Sequence, residues 1–169
     1  MILDRLILRE MFAFPGTVDL ELRSLGAGVF AIVGPNGHGK TALIDALPAV
    51  AYQRLPGHDD LHPKTAARAR DSKIECWWTE PSGDRFRAAL GIDAQSGSCD
   101  GVLEQILAGD QRRPLSDGKV SSLATAMAHH LPSYALFLNS CFAAQGRGDE
   151  FLRAKPSARK DLFAEFCGL

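Results

Sequence analysis

The chain has 169 residues, a formal net charge of −1, and hydrophobic and charged fractions of 46% and 23%. These values describe a globular domain with its own core, and they exclude a disordered chain and a surface that is basic throughout. Charged residues interrupt the apolar N-terminus and no long apolar run follows, so we expect a cytoplasmic protein with no signal peptide and no membrane contact. Four widely spaced cysteines indicate reduced thiols, mostly in the core.

Three strands are predicted before the first helix. Residues 2–8 are apolar enough for a strand, and Val18, Leu20 and Leu22 alternate with charged residues as in a half-exposed strand. These two strands are expected to be antiparallel neighbours. Residues 29–33, Val-Phe-Ala-Ile-Val, form a short apolar run typical of a buried strand.

Residues 34–41, Gly-Pro-Asn-Gly-His-Gly-Lys-Thr, have the spacing of a phosphate-binding loop, or Walker A motif. The glycines allow successive backbone N–H groups to point inward, and Lys40 can reach the terminal phosphates. Thr41 would offer a hydroxyl to a phosphate-bound Mg²⁺, and a helix starting near Ala42 would direct its positive end at the phosphates. A glycine-rich turn that binds nothing is the alternative. The predicted nucleotide-binding residues are Gly34, Pro35, Asn36, Gly37, His38, Gly39, Lys40, Thr41 and Ala42.

The helix after Lys40 is expected to be apolar on one face and disturbed near its middle. Pro48 lacks a backbone donor and should kink the helix or end it early. Its apolar positions at helical spacing are Leu43, Ile44, Leu47 and Val50.

His58 and His62 have a spacing that could bind a metal on a helix. Gly57 and Pro63 bracket the segment too closely for a helix, so a solvated loop is favoured over a metal site. A small basic cluster follows at Arg68, Arg70 and Lys73, and it is predicted to be a solvated face, with a nucleic-acid phosphate contact as the alternative.

The rest of the chain predicts an antiparallel β meander and several helices. Residues 74–79, 85–92 and 102–107 are predicted strands, residues 119–131 a helix, and residues 134–142 a helix or a strand. A last helix opens at Pro156, with Leu162, Phe163 and Phe166 on its inner face. The fold class is therefore α/β, with a mixed central sheet, an antiparallel meander and flanking helices.

The acidic pair of a P-loop hydrolase is missing from the sequence. Such enzymes usually have an apolar strand that ends in Asp-Glu, which holds the Mg²⁺ shell and orients the attacking water. Asp149-Glu150 follows Arg-Gly instead of an apolar run, and the apolar run at residues 134–138 ends in Asn139. The catalytic carboxylates are therefore expected on another part of the enzyme.

A family resemblance runs over nearly the whole chain. Residues 34–41, residues 141–146 (Cys-Phe-Ala-Ala-Gln-Gly), residues 151–156 (Phe-Leu-Arg-Ala-Lys-Pro) and residues 159–169 resemble the N-terminal ATPase half of SbcC-type, SMC-like DNA-repair ATPases. Many NTPases share the loop motif, whereas Gln-Gly followed by Phe-Leu-x-Ala-x-Pro is more specific.

In that family, an N-terminal and a C-terminal half flank a long antiparallel coiled coil and fold into one ABC-type head. The C-terminal half supplies the signature serine, the Asp-Glu pair and the switch histidine. The resemblance implies that residues 1–169 form a single domain, the N-terminal half of such a head, which ends where the coiled coil would begin. It implies ATP and Mg²⁺ as cofactors, with Gln145 as the Q-loop glutamine.

The resemblance also implies specific roles and partners. Lys40 and Gln145 would be catalytic residues, and Thr41 and Gln145 would ligate Mg²⁺. Hydrolysis would require the C-terminal half and a second head in a homodimer, so that this chain alone is nearly inactive. An SbcD-type nuclease and DNA would be further partners. One departure is that residues 10–13 lack the arginine that often follows the first strand and contacts nucleotide phosphate.

Three alternatives stay open. In a self-contained ABC-like cassette, residues 115–118 (Leu-Ser-Asp-Gly) would mimic a signature motif, but Gln145 follows this segment where it should precede it. A small P-loop kinase would need an arginine-rich lid, for which Arg112 and Arg113 are thin candidates. The third alternative is a nucleotide-gated interaction module without chemistry of its own.

Overall fold

Six strands form one antiparallel sheet in the order β2-β1-β3-β4-β5-β6. The structure is a computed structural model that describes residues 1–143 and 150–168. It divides into two compact units, Met1–Met127 and Ala128–Leu169. In the first unit, the strands are β1 (Ile2–Met11), β2 (Phe14–Glu21), β3 (Ser72–Thr79), β4 (Arg85–Ile92), β5 (Cys99–Ile106) and β6 (Arg112–Pro114).

Two helices cover one face of this sheet. α1 (Lys40–Tyr52) contacts β3 and β4, and α2 (Val120–Met127) contacts β5. On β3 the side chains of Ile74, Cys76 and Trp78 are buried, whereas the alternate side chains are half-buried. This period of two places the core between the sheet and the two helices.

The opposite face of the sheet carries a buried charge network centred on Arg87. The Arg87 side chain donates from Nε to Glu75 and from Nη1 to Glu104, both at 2.7 Å. Burial alone would raise the pKa of Glu75, but hydrogen bonds from Arg87 and Lys73 outweigh it and hold this pKa below its usual value. The guanidinium groups of Arg87 and Arg112 both contact the Trp77 ring, at 5.6 and 5.4 Å from its centroid.

The predicted fold class is confirmed, and most of the predicted elements are present. The first two strands pair as an antiparallel hairpin, and the three strands of the meander follow in order as β3, β4 and β5. The helix predicted for residues 119–131 is shorter, as α2, and the ambiguous segment at residues 134–142 contains a helix, α3 (Tyr134–Ser140).

The strand predicted for residues 29–33 is not formed. Among the strands of residues 1–143, none pairs with this segment, and all five established pairings are antiparallel. The exposed fractions are 102% for Val29, 54% for Phe30, 50% for Ile32 and 89% for Val33. A strand needs a neighbour for its backbone N–H and C=O groups, and within the described chain this one has none.

The buried face of α1 also differs from the prediction. It consists mainly of small residues, whereas Leu43 and Leu47 are half-buried and Ile44 is exposed. The helix does not end early at Pro48 but continues to Tyr52. Small side chains allow α1 to lie close to the sheet, and Pro48 is itself part of the buried face. Its buried residues are Ala42, Asp45, Ala46, Pro48, Ala49, Val50 and Ala51.

The described residues of the second unit form the helices α3, α4 (Glu150–Arg153) and α5 (Pro156–Phe166). α5 contacts α3, and Glu165 accepts hydrogen bonds from the backbone N–H and the hydroxyl of Ser133 at 2.8 and 2.7 Å. The predicted inner face of α5 is only partly covered, because Phe163 and Phe166 remain exposed. That residues 1–169 form a single domain stays a prediction.

The cysteines are less buried than expected. All four are free thiols, but only Cys76 lies in the core, while Cys141 and Cys167 are exposed. Burial, and next the neighbouring charge of Glu75, raise the pKa of the Cys76 thiol to about 12.

Candidate nucleotide-binding site

The predicted phosphate loop lies directly before α1, and two of its glycines have left-handed backbone conformations. The φ angles are 82° at Gly37 and 83° at Gly39, a region that residues with a Cβ rarely adopt. Gly39 is also the N-cap of α1, and a Cβ added there would lie 2.8 Å from Cε2 of Phe14. The loop backbone therefore requires glycine at these positions and packs against β2.

Lys40 closes the loop on itself. Its ammonium group donates hydrogen bonds to the carbonyl oxygens of Gly34 and Pro35, both at 2.8 Å. Lys40 is also the first residue of α1, where backbone N–H groups have no partner within the helix. The loop thus combines a fixed positive charge with the positive end of a helix, which is the combination that attracts a phosphate.

The other predicted binding residues lie in the same continuous turn. His38 contacts the Asn36 carbonyl oxygen through Nδ1 at 3.0 Å, and residues 34–38 are exposed. Thr41 and Ala42 are in the first turn of α1, with Ala42 buried against the core. The structure therefore brings the nine predicted residues from Gly34 to Ala42 into one exposed loop and helix start.

Three residues beside the loop were not predicted from the sequence. Asp45 of α1 is fully buried, and it accepts hydrogen bonds from the Gly57 N–H at 3.0 Å and from Nδ1 of His58 at 2.8 Å. The Gly57 backbone in turn lies against the side chain of Thr41. A charged residue on an otherwise alanine-rich helix face was the one sequence signal that could have indicated this contact.

His58 and His62, the histidines whose spacing could bind a metal, make separate contacts in the structure. His62 accepts a hydrogen bond from the Lys64 N–H at 3.1 Å, while His58 bonds to Asp45, so the two rings have different partners. Within residues 1–143 and 150–168, no group of three or more His, Cys, Asp or Glu residues could hold a metal ion.

The basic cluster is tied to neighbouring protein groups. Arg68 donates to the Phe12 carbonyl oxygen at 3.2 Å, and Arg70 donates to the Gln95 amide oxygen at 2.7 Å. Lys73 forms an ion pair with Glu75 at 2.8 Å. These contacts give each member of the cluster a structural partner. Gln145, the predicted catalytic glutamine and Mg²⁺ ligand, lies outside the described residues.

The fold and the loop together define the class of protein. A glycine-rich loop before a helix, on an α/β unit whose sheet is an antiparallel meander, is the N-terminal lobe of an ABC-type P-loop NTPase. In the described ranges, none of the helices combines the length and the apolar character that a membrane span requires.

Comparison with known proteins shows which proteins the chain resembles. The family model described as "AAA domain" matches residues 5–76, which contain the β1–β2 hairpin, the loop and α1. The chain is 34% identical over 137 residues to the DNA replication and repair protein RecF of Magnetococcus marinus, an alignment that covers 70% of this chain and 33% of the relative.

Two further relatives are SbcC subunits of the nuclease SbcCD. The one from Deinococcus radiodurans is 25% identical over 167 residues, covering 97% of this chain and 18% of the relative. The one from Rhodobacter capsulatus is 29% identical over 188 residues, an alignment that covers 92% of this chain and 14% of the relative. The chain thus spans a third or less of the length of these curated relatives. Its similarity to these SMC-like ABC ATPases supports an N-terminal ATPase half.

Proposed function

We propose that this chain is the ATP-binding N-terminal lobe of an SbcC-like DNA-repair ATPase. ATP hydrolysis then requires a C-terminal half and a second head, and head dimerisation gates a partner nuclease. The observation that carries the proposal is the loop in which Lys40 bonds to two carbonyl oxygens directly before α1. An ammonium held at a helix start, inside a loop that requires glycine, suits the phosphates of a nucleotide.

The residue types of the loop are those that bind the phosphates of ATP and the Mg²⁺ that accompanies them. Gly37 and Gly39 adopt the left-handed backbone conformations that let successive N–H groups point inward, and Lys40 supplies the charge that a terminal phosphate requires. The Thr41 hydroxyl and the Gln145 amide are the groups that would ligate Mg²⁺. When bound, Mg²⁺ neutralises the charge that develops on the transferred phosphoryl group.

The exposed apolar segment at residues 29–33 supports the need for a second half. It leads directly into the loop, its side chains are exposed, and none of the described strands pairs with it. Strands contributed by a C-terminal half would cover these side chains and bring the missing acidic pair beside the loop. This is why we assign the positioning of the attacking water, and the acidic groups around the metal, to a C-terminal half.

The partners follow from the relatives and the charge of the chain. Two of the relatives are named for a nuclease, and the third is named for DNA replication and repair. A formal net charge of −1 does not favour an extended nucleic-acid surface on this lobe alone. DNA would therefore contact a local patch, or a surface shared with the second head, and an SbcD-type nuclease would bind the assembled protein in the cytoplasm.

The alternatives fit the contacts less well. In the cassette, Ser116 would be the signature serine, but its hydroxyl accepts a hydrogen bond from the Leu103 N–H at 2.8 Å. Asp117 accepts from the Lys119 N–H at 3.1 Å, as in an ordinary turn before a helix. In the kinase, Arg112 would belong to a lid, but it lies in β6, beside Glu104 and over Trp77.

Steady-state phosphate release tests the proposal. The chain alone should bind MgATP but release almost no phosphate, because the acidic pair that positions the water is absent. Addition of the matching C-terminal half should restore turnover that rises faster than linearly with protein concentration, and DNA should raise it further. Robust turnover by this chain alone, linear in protein concentration, would instead support the self-contained cassette. Phosphate transfer to an added acceptor would support the kinase.

A further inference from the structure

A buried carboxylate lies one helical turn beyond Thr41, at Asp45. The two residues are four positions apart on α1 and therefore share a face of the helix. Asp45 has an exposed fraction of 0%. A carboxylate without access to water is stable only if nearby donors satisfy its oxygens.

The donors come from the segment after the helix. The Gly57 N–H lies 3.0 Å from Oδ1 and 3.1 Å from Oδ2 of Asp45, and Nδ1 of His58 lies 2.8 Å from Oδ2. His58 is itself partly exposed, and its ring centroid is 6.2 Å from that of Phe12. Asp45 therefore fixes the backbone at residues 57–58 against the first turns of α1.

This fixed backbone meets Thr41. A Cβ added to Gly57 would collide with Cγ2 of Thr41, and it would lie 2.9 Å from Oδ2 and 3.0 Å from Oδ1 of Asp45. Gly57 has no positive φ angle, so the requirement for glycine there comes from lack of space. The Thr41 methyl group is thus in contact with the Gly57 backbone.

The contact bears on the direction of the Thr41 hydroxyl. Threonine in a helix divides between two χ1 rotamers, because its hydroxyl can bond to a carbonyl oxygen of the preceding turn, and the methyl group has a different position in each rotamer. Gly57 holds the methyl group, so the hydroxyl must lie on another side of Cβ. One rotamer is thereby selected before any ligand arrives, which lowers the cost of forming a metal ligand.

We propose that Asp45, Gly57 and His58 are positioning residues that orient the Thr41 hydroxyl toward a phosphate-bound Mg²⁺. The inference rests on the proposed function, because it assumes that nucleotide and Mg²⁺ bind at the loop. Groups that orient a metal ligand without touching the metal typically change metal affinity by about tenfold or more when they are removed.

The test measures the affinity of this chain for a non-hydrolysable ATP analogue by calorimetry, with Mg²⁺ and with EDTA. The ratio of the two dissociation constants is the Mg²⁺ enhancement. Thr41→Val should reduce the enhancement about tenfold while the affinity in EDTA stays within about twofold of wild type. Gly57→Ala and Asp45→Asn should also reduce the Mg²⁺ enhancement about tenfold and leave the affinity in EDTA nearly unchanged. The double variant Thr41→Val/Gly57→Ala should lose no more than Thr41→Val alone, since both act on one hydroxyl.

Gly28→Ala is the matched control, because nothing lies closer than 3.4 Å to its added Cβ and its φ angle is not positive. It should leave the enhancement unchanged. If Gly57→Ala or Asp45→Asn fails to fold, His58→Gln carries the test, because the His58 side chain is 44% exposed and its replacement opens no cavity.

The outcomes separate the inference from the proposed function. No nucleotide binding by the wild type would contradict both. A loss of enhancement in Thr41→Val together with wild-type enhancement in Gly57→Ala, Asp45→Asn and His58→Gln would overturn the positioning role alone. Additive losses in the double variant would also overturn it, because the residues would then act independently of Thr41.

Discussion

Two segments that the sequence predicts as strands, residues 85–92 and residues 29–33, have opposite environments in this molecule. β4 pairs with strands on both sides and its side chains are largely buried, whereas residues 29–33 pair with none of the described strands and their side chains are exposed. The difference shows that an apolar pattern specifies the tendency to form a strand, while the partner is specified elsewhere. Each strand of the sheet has a partner strand within the described chain, and the segment that leads into the phosphate loop has none.

The comparison makes separate predictions for the two regions. Variants in the sheet should change the stability of the chain itself. Changes in the loop and in the segment before it should alter ligand binding or assembly, with little effect on stability.

The largest expected effect is a difference in thiol reactivity between the buried Cys76 and the exposed Cys167. Cys76 is fully buried and its pKa is raised to about 12, so it should react only when the sheet unfolds. With an opening free energy of about 5 kcal/mol, its rate with a neutral disulfide reagent at pH 8 should be about a thousandfold or more below that of Cys167. Single-cysteine variants would assign the two rates. Comparable rates for the two cysteines would mean that the sheet opens readily and is not stable in this chain alone.

Removal of Arg87 should have the next largest effect. Arg87→Ala leaves Glu75 and Glu104 facing each other with little water, which should lower the free energy of unfolding by about 3 kcal/mol. Arg85→Ala is the control, because Arg85 is exposed and its contact with Asp110 is 3.4 Å, and it should cost less than about 1 kcal/mol. Urea unfolding at pH 7 measures the free energy of unfolding of both variants. Equal losses in Arg87→Ala and Arg85→Ala would contradict a stabilising role for the Arg87 network.

The network also has a defined pH dependence. The pKa of Glu75 is depressed in the folded chain, so its contribution is fully present above the unfolded pKa of about 4.3. That contribution is lost as the pH falls further, through the folded pKa. Wild type and Arg87→Ala should therefore approach each other in stability under acid conditions, and a constant difference down to pH 2 would argue against the ion pairs.

Lys40→Ala should reduce nucleotide affinity about 10- to 100-fold, because a charge-assisted hydrogen bond to phosphate is lost. The fold should be preserved, since the carbonyl oxygens of Gly34 and Pro35 lie at the exposed surface and can bond to water. Calorimetry with a non-hydrolysable ATP analogue and Mg²⁺ measures the change. Lys119→Ala, an exposed lysine outside the loop, is the control, and unchanged affinity in Lys40→Ala would end the phosphate-loop interpretation.

Local patterns explain why much of the fold could be predicted. The alternation along β2 and β3 and the turns of the meander follow from neighbouring residues, and so does the loop motif before α1. The edge strand β6 is only three residues long, and the sequence pattern did not predict it. The prediction for the buried face of α1 was wrong, because contact with the sheet favoured alanines over the larger apolar side chains.

The rest of the site depends on contacts between distant parts of the chain. Asp45 and His58 are thirteen positions apart, and no periodicity relates them. The absence of a partner for residues 29–33 among the described strands is likewise a property of the whole fold, so a buried strand was the natural expectation from an apolar run. The role of Gln145 stays a prediction from the family resemblance.

Hydrogen exchange of the amides at residues 29–33 tests whether this segment needs a second half to become structured. In the chain alone, these amides should exchange close to the rate of an unstructured peptide, while those of β3 and β4 remain protected. With the matching C-terminal half and MgATP, residues 29–33 should become at least about tenfold slower, and the variant Val29→Asp/Val33→Asp should lose this protection. Strong protection of residues 29–33 in the chain alone, or no change when the second half is added, would contradict the proposed need for a second half.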